Sequence, residues 1–263
     1  MQIAGFLLIA CTASVIGSIS GIGGGIIIKP VLDVLSGQGL EEISVLSGST
    51  VFAMSLVSLL RNRDSGVTLE PKRGTALAGG AALGGAAGKL IFSIALRFSS
   101  RTALIGIIQS LMLMFFTLIV LLYLKKKKAI QTRNIRNIPF CLFIGLLLGM
   151  VSAFLGIGGG PVNIMVISYF LSMDPKTTAL HSLYTIFLSQ AASFLLMFAE
   201  GGIPPVNPFF IAAMVSGGIG GGLIGSRIVR VLSNDQVDSL FGLVLGLLIL
   251  LSAYNTIRLT VLG

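Results

Sequence analysis

The sequence is poor in charge, in histidine and in cysteine. Only 10% of its 263 residues are Asp, Glu, Lys or Arg, where a soluble domain carries roughly a quarter. Together with a 54% hydrophobic content, that shortfall excludes an ordinary soluble globular chain. The single histidine, His181, excludes a multi-histidine metal site. The two cysteines, Cys11 and Cys141, each lie in an apolar run, which gives no reason to pair them. There are 9 acidic residues, and none lies securely at mid-membrane depth, so no carboxylate proton relay is visible. No nucleophile, metal cluster or carboxylate pair stands out, so neither an enzyme nor a cofactor is expected. The N-terminus lacks a basic n-region and an obvious small-residue cleavage site, which predicts a first mature helix rather than a signal peptide.

What is present is long apolar sequence. Ile3 to Ser20, Ile43 to Leu60, Ala103 to Leu124 and Thr178 to Ala199 carry no charge, and uncharged runs of about 18 residues or more predict transmembrane helices. The net charge is +9. The basic residues sit between apolar segments, so they set topology and touch lipid headgroups rather than nucleic acid.

The chain repeats itself. Gly21-Ile22-Gly23-Gly24-Gly25 returns unchanged as Gly156-Ile157-Gly158-Gly159-Gly160, 135 positions further on (21 to 156). The glycine-rich stretch Gly84-Gly85-Ala86-Ala87-Gly88-Lys89 parallels Gly221-Gly222-Leu223-Ile224-Gly225-Ser226-Arg227. Each half therefore has five apolar segments: 3–20, 26–36, 43–61, 74–97 and 103–124, then 138–155, 161–173, 177–199, 207–230 and 237–257. The predicted organisation is a first transmembrane repeat over 1–124, a basic cytoplasmic linker over 125–137, and a second repeat over 138–263. The fold class is all-α transmembrane.

Five is odd, so the halves should lie in the membrane with opposite orientation. A re-entrant first pair leaves three crossings and the same result. With the linker in the cytoplasm, that side receives Arg61, Arg63, Lys72, Arg73, Lys125 to Lys128, Arg133, Arg136, Lys176, Arg227 and Arg230. The other side receives only Lys89, Arg97, Arg101 and Arg258. This is a strong positive-inside bias and places both termini outside. Parallel repeats of four crossings are the main competitor.

Segments 26–36 and 161–173 are too short to cross. Thirteen helical residues reach ~20 Å, against ~30 Å of hydrocarbon. Each follows a triple glycine that makes poor helix. Broken backbone at membrane depth survives only when buried in protein or facing a watery cavity. Each cluster is thus expected to be a helix break whose following half-helix aims its N-terminus inward, with Pro161 at a first helical position. Two such ends near the midplane would form an anion site. The glycines of 79–88 and 217–225, at near-four spacing, read instead as helix-packing stripes. A dinucleotide fingerprint is excluded, since it needs glycine where Ile26 and Pro161 stand.

These features resemble the sulfite exporter TauE/SafE family of membrane permeases. The resemblance spans nearly the whole chain. It rests on the duplicated glycine run followed by Ile26-Ile27-Ile28-Lys29-Pro30 and by Pro161-Val162-Asn163-Ile164, and on the glycine-rich fourth helix of each half. Family members often carry Gly-Thr-Ser at the start of the third segment. Here those positions read Gly48-Ser49-Thr50 and His181-Ser182-Leu183. The resemblance implies transport, often export, of sulfite, sulfoacetate-like sulfonates or related small anions, at the cell membrane.

Among intramembrane polar residues Lys29 stands out, because a cation at that depth is a functional candidate by default. It faces the anion, pairs with Asp33 at i+4, or snorkels. Asn163 donates to an oxyanion or bonds locally. Ser49, Thr50 and Ser182 line the site or bond their own i−4 carbonyls. His181 binds substrate, carries a proton, or packs. Gln109 and Gln190 cross-link helices, and Lys89 and Arg227 snorkel. The expected substrate-binding set is Gly21, Gly23, Gly24, Gly25, Lys29, Ser49, Thr50, Gly156, Gly158, Gly159, Gly160, Asn163, His181 and Ser182. The expected function is an alternating-access carrier of a small anion, with an anion channel on the same site as the alternative. A homodimer through a glycine-rich or apolar face is left open by analogy with other carriers.

Overall fold

A computed structural model describes residues 2–62, 69–98, 102–157, 159–201 and 205–262. Arg63, Arg101 and Gly158 fall outside these. The described residues form ten α-helices and no strand: α1 (Gln2–Ser20), α2 (Gly25–Leu35), α3 (Leu40–Asn62), α4 (Pro71–Phe98), α5 (Thr102–Lys126), α6 (Ile138–Phe154), α7 (Pro161–Leu171), α8 (Pro175–Ala199), α9 (Pro208–Val231) and α10 (Asn234–Leu262). Five fall on each side of residues 127–137, as expected. The differences are at helix ends. α3 starts at Leu40 because Glu41 and Glu42 suit a helical first turn although they interrupt an apolar run. α8 starts at Pro175 because the Asp174 side chain accepts from the N–H groups of Lys176 and Thr177. α10 continues to Leu262 rather than stopping at 257.

Seven helices (α1, α3, α4, α5, α8, α9 and α10) are long and apolar enough to cross a membrane. α2 and α7 have 11 residues each, about half the required reach. Leu83, Leu122, Phe143, Leu195 and Leu250 are exposed. In water such a surface would aggregate, whereas in a bilayer it faces acyl chains.

The glycine stripes set the packing. A Cβ on Gly80, Gly84 or Gly88 of α4 would strike the carbonyls of Leu142, Leu146 and Met150 of α6 in turn. A Cβ on Gly217, Gly221 or Gly225 of α9 would strike those of Leu7, Cys11 and Val15 of α1. The struck residues are equivalent under the 135-residue offset, and in each pair the two helices run parallel. The other pairings follow the same exchange of halves. α4 packs on α8 as α9 packs on α3, α5 on α7 as α10 on α2, while α5 pairs with α10 and α3 with α8. The stripes expected to bring helices together are therefore consumed inside the chain. Gly79 and Gly220 are the exceptions, with nothing near either.

Residues 127–137 are ordered and laced to the second half. The N–H groups of Arg133 and Ile135 donate to the Tyr169 and Phe170 carbonyls at the end of α7, at 2.9 and 2.7 Å. Arg73, at the start of α4, donates to Asn134 and to the Ile135 carbonyl. Lys127 pairs with Asp238 of α10 at 2.9 Å. The starts of α4 and α10 and the ends of α5 and α7 thus share one face of the molecule.

Gly84→Val should lose about 1–3 kcal/mol through overpacking against α6, seen as a lower melting temperature in detergent. Gly79→Ala should leave it unchanged or slightly raised.

Candidate functional site

The two glycine clusters come together in the interior. Gly21, Gly23 and Gly156 hold φ of 73°, 74° and 66°, a left-handed backbone that favours glycine. Gly21 and Gly156 are the equivalent first residues of each run, so both helices break by the same backbone turn. A Cβ on Gly25 would collide with the Ile157 carbonyl, and Gly23 and Gly159 both lie against Ile186. Ile22, Ile26, Leu155, Ile157 and Ile164, from around both breaks, share one buried cluster with Leu113 and Val120 of α5 and Val244 and Leu248 of α10.

The half-helices that leave these breaks have bare N-termini. α2 starts after Gly24 and α7 after Gly160, and neither has a side-chain cap. The first ladder bonds are Ile27 N–H to the Gly24 carbonyl and Asn163 N–H to the Gly160 carbonyl. By contrast α6, α8 and α9 are capped by Asn137, Asp174 and Asn207. The opening amides of a helix are unsatisfied by the helix itself. Here the amides ahead of the first ladder bonds are Gly25 and Ile26 in α2 and Val162 in α7, whose first residue Pro161 has no N–H, and no side chain caps them in the protein interior.

Lys29, 3% exposed, lies in α2 and reaches the end of α6. Its Nζ donates to the Leu155 carbonyl and to Gln109 Oε1, each at 2.6 Å. Gln109 Nε2 in turn donates to the Phe154 carbonyl at 2.6 Å. The ammonium therefore sits on the negative end of α6, also beside Gly156. It makes no ion pair with Asp33: the pairs among the described residues are Arg73–Glu70 and Lys127–Asp238.

The hydroxyls divide. Ser49 and Thr50 bond the Leu46 carbonyl of their own helix. Thr50 also backs onto Gly218. Ser47, not singled out from sequence, donates to the Gly25 carbonyl at 3.4 Å. Ser182, its equivalent under the offset, is fully buried with an unpartnered Oγ, and Asn163 Oδ1 is likewise buried and unpartnered. His181 spends both ring nitrogens on the protein. Nδ1–H donates to the Thr177 carbonyl at 3.0 Å, and Nε2 accepts from Glu70 N–H at 2.9 Å. It ties α8 to the start of α4.

A wide cavity of about 360 Å³ with mostly apolar walls borders the second break at Gly160, Pro161 and Val162, and two smaller cavities flank the pair of breaks. One, of about 70 Å³, is lined by Ser18, Asn62, Lys176, Ala179, Leu180 and Leu183, among others. Another, of about 30 Å³, is lined by Ser44, Val45, Gly48, Lys89, Ala153 and Gly156, among others. Ser18, Ala179, Leu180 and Leu183 are the 135-residue equivalents of Ala153, Ser44, Val45 and Gly48. The first lies at the face that carries the linker, and the second opens the other way.

A family model described as sulfite exporter TauE/SafE matches residues 6–252. The chain belongs to that family. TauE/SafE proteins are transporters, not enzymes, so this chain is a multi-pass membrane transporter. No curated protein and no solved structure matches it.

Lys29→Met and Gln109→Leu should each destabilise the protein by about 1–3 kcal/mol, by stranding buried acceptors. Measured together in thermal or denaturant unfolding, they should be non-additive by at least ~0.5 kcal/mol. Full additivity would mean that the two side chains do not act as one unit.

Proposed function

We propose that this TauE/SafE transporter carries sulfite or a small sulfonate such as sulfoacetate, bound near the midplane by the N-termini of α2 and α7. The carrying observation is the missing caps. The half-helices that start inside the protein are bare, while α6, α8 and α9, which start at its surface, are capped by side chains. A small oxyanion is the ligand that satisfies such amides and both dipoles at once. Ser182 Oγ and Asn163 Nδ2 supply further donors, and the buried Lys29 beside Gly156 supplies positive charge. The backbone of Gly21, Gly23, Gly24 and Gly25, and of Gly156, Gly159 and Gly160, lets the anion approach closely. Ser49, Thr50 and His181 stand behind this ring and hold its frame.

The halves, 1–124 and 138–263, act as inverted repeats joined by a cytoplasmic linker. Three observations support this. The parallel pairs α4–α6 and α1–α9 exchange under the offset, the cavities on the two faces are lined by equivalent residues, and basic residues concentrate at the linker face. Access alternates between those cavities. Transport runs outward, the direction in which an anion gains about 2.3 kcal/mol per charge at 100 mV, inside negative.

A thermal-shift panel of sulfite, sulfoacetate, taurine, sulfate, thiosulfate and carboxylate analogues tests the site. The cognate anion at about 100 times its Kd should stabilise the protein by about 2.7 kcal/mol. Lys29→Ala should abolish the response while the protein still folds. If no member of the panel shifts the wild type, the reading is wrong.

A further inference from the structure

Lys89, on α4, has no obvious reason to be where it is. It is 7% exposed. Among the described residues it makes no hydrogen bond and no ion pair, and its one contact of note is the face of Phe92, 5.2 Å from the ring centroid. Snorkelling, the expectation from sequence, would put its ammonium in water at the membrane surface. Instead it projects into the protein at the junction of two cavities. The narrow one, of about 30 Å³, leads down to Gly156. The wide one, of about 250 Å³, leads out past Ser93, Arg97, Glu41 and Glu200. Lys89 and Met197 line both.

Lys89 is not alone in lacking partners. Ser44 and Gln190 line the same narrow cavity, and the hydrogen bonds of the described residues include none from either side chain. Buried polar groups are nearly always hydrogen-bonded, and these three have no partner in the protein, so whatever fills the cavity they line is their partner. The narrow cavity has room for one or two water-sized groups, which suits a small oxyanion. Lys29 lies just beyond. Its Nζ is 5.8 Å from the same Phe92 ring, and Gly156 borders both Lys29 and Ser44. The two ammonium groups thus flank one ring, one inside the constriction and one at its mouth. Glu41 and Glu200 stand further out, beyond ion-pair distance of Lys89.

We infer that Lys89, with Ser44 and Gln190, forms a second anion subsite on the face opposite the linker. It receives the oxyanion from the Lys29 site before release. This rests on the transport reading given above. The order of charges then works along the path. Lys29 and Lys89 offer successive attraction, and the carboxylates at the rim repel the anion once it has left Lys89. A single deep cation would hold its ligand. A second one of the same sign lowers the step out of the first.

The test uses the full-length protein in proteoliposomes, with radiolabelled sulfite exchange measured at low and high ionic strength. Lys89→Ala should raise the half-saturating sulfite concentration about tenfold or more, the loss of one charge-assisted contact, and should flatten its dependence on ionic strength. Lys89→Arg should restore both to near wild type. A purely structural role would lower the maximal rate and leave half-saturation alone. If Lys89→Ala fails to fold, Lys89→Gln carries the same expectation in a similar volume. Unchanged half-saturation in a folded neutral variant overturns the subsite. If the wild type exchanges sulfite and Lys29→Ala does not, while Lys89 variants behave as wild type, only the subsite falls. If the wild type exchanges neither sulfite nor sulfoacetate, both readings fall.

Discussion

A helix cannot stop in the middle of a bilayer without leaving carbonyls behind, and the seat of one ammonium on those carbonyls governs much of this structure. α6 ends at Phe154, at the glycine run, with the carbonyls of its last turn in the protein interior. Lys29 Nζ and Gln109 Nε2 take the Leu155 and Phe154 carbonyls. In doing so they bind α2 and α5 to the end of α6 and fix how the two breaks meet. A buried cation is tolerable only with such partners. The same charge adds positive potential beside two bare helix starts, which is what the proposed anion site needs.

The repeat between the two halves of the sequence is broken at this point. The backbone turn at Gly21 repeats at Gly156, and the packing stripes repeat residue for residue. The side chains do not. The equivalent of Lys29 in the second half is Ile164, and the equivalent of Asn163 in the first is Ile28. One half-helix brings a charge and the other an amide, so the pocket proposed between them would have two different chemistries. An asymmetric ligand such as a sulfonate, with an oxyanion head and a distinct tail, suits such a pocket better than a symmetric one would.

Local features were legible in the sequence; long-range ones were not. The ten helices, the two short ones and the breaks follow from apolar run length and glycine, which act within a few residues. The role of the glycines at 80, 84 and 88 was readable from their spacing, because close helix packing needs small residues on one face. The partners of Lys29 lie 80 and 126 positions away, and nothing near residue 29 names them. His181 looked like a lone polar group because its partner, the Glu70 N–H, lies at the start of a different helix. Lys89 looked like a membrane-surface lysine because its position in a glycine-rich helix says nothing about the cavity beside it.

The extended stretch after Lys127 carries a mechanical consequence. Its amides clasp the last carbonyls of α7, while Arg73 grips it from α4 and Asp238 of α10 holds Lys127. A connector held this way is a rein rather than a slack cord. α4, α7 and α10 cannot shift against one another at that face without first breaking these bonds.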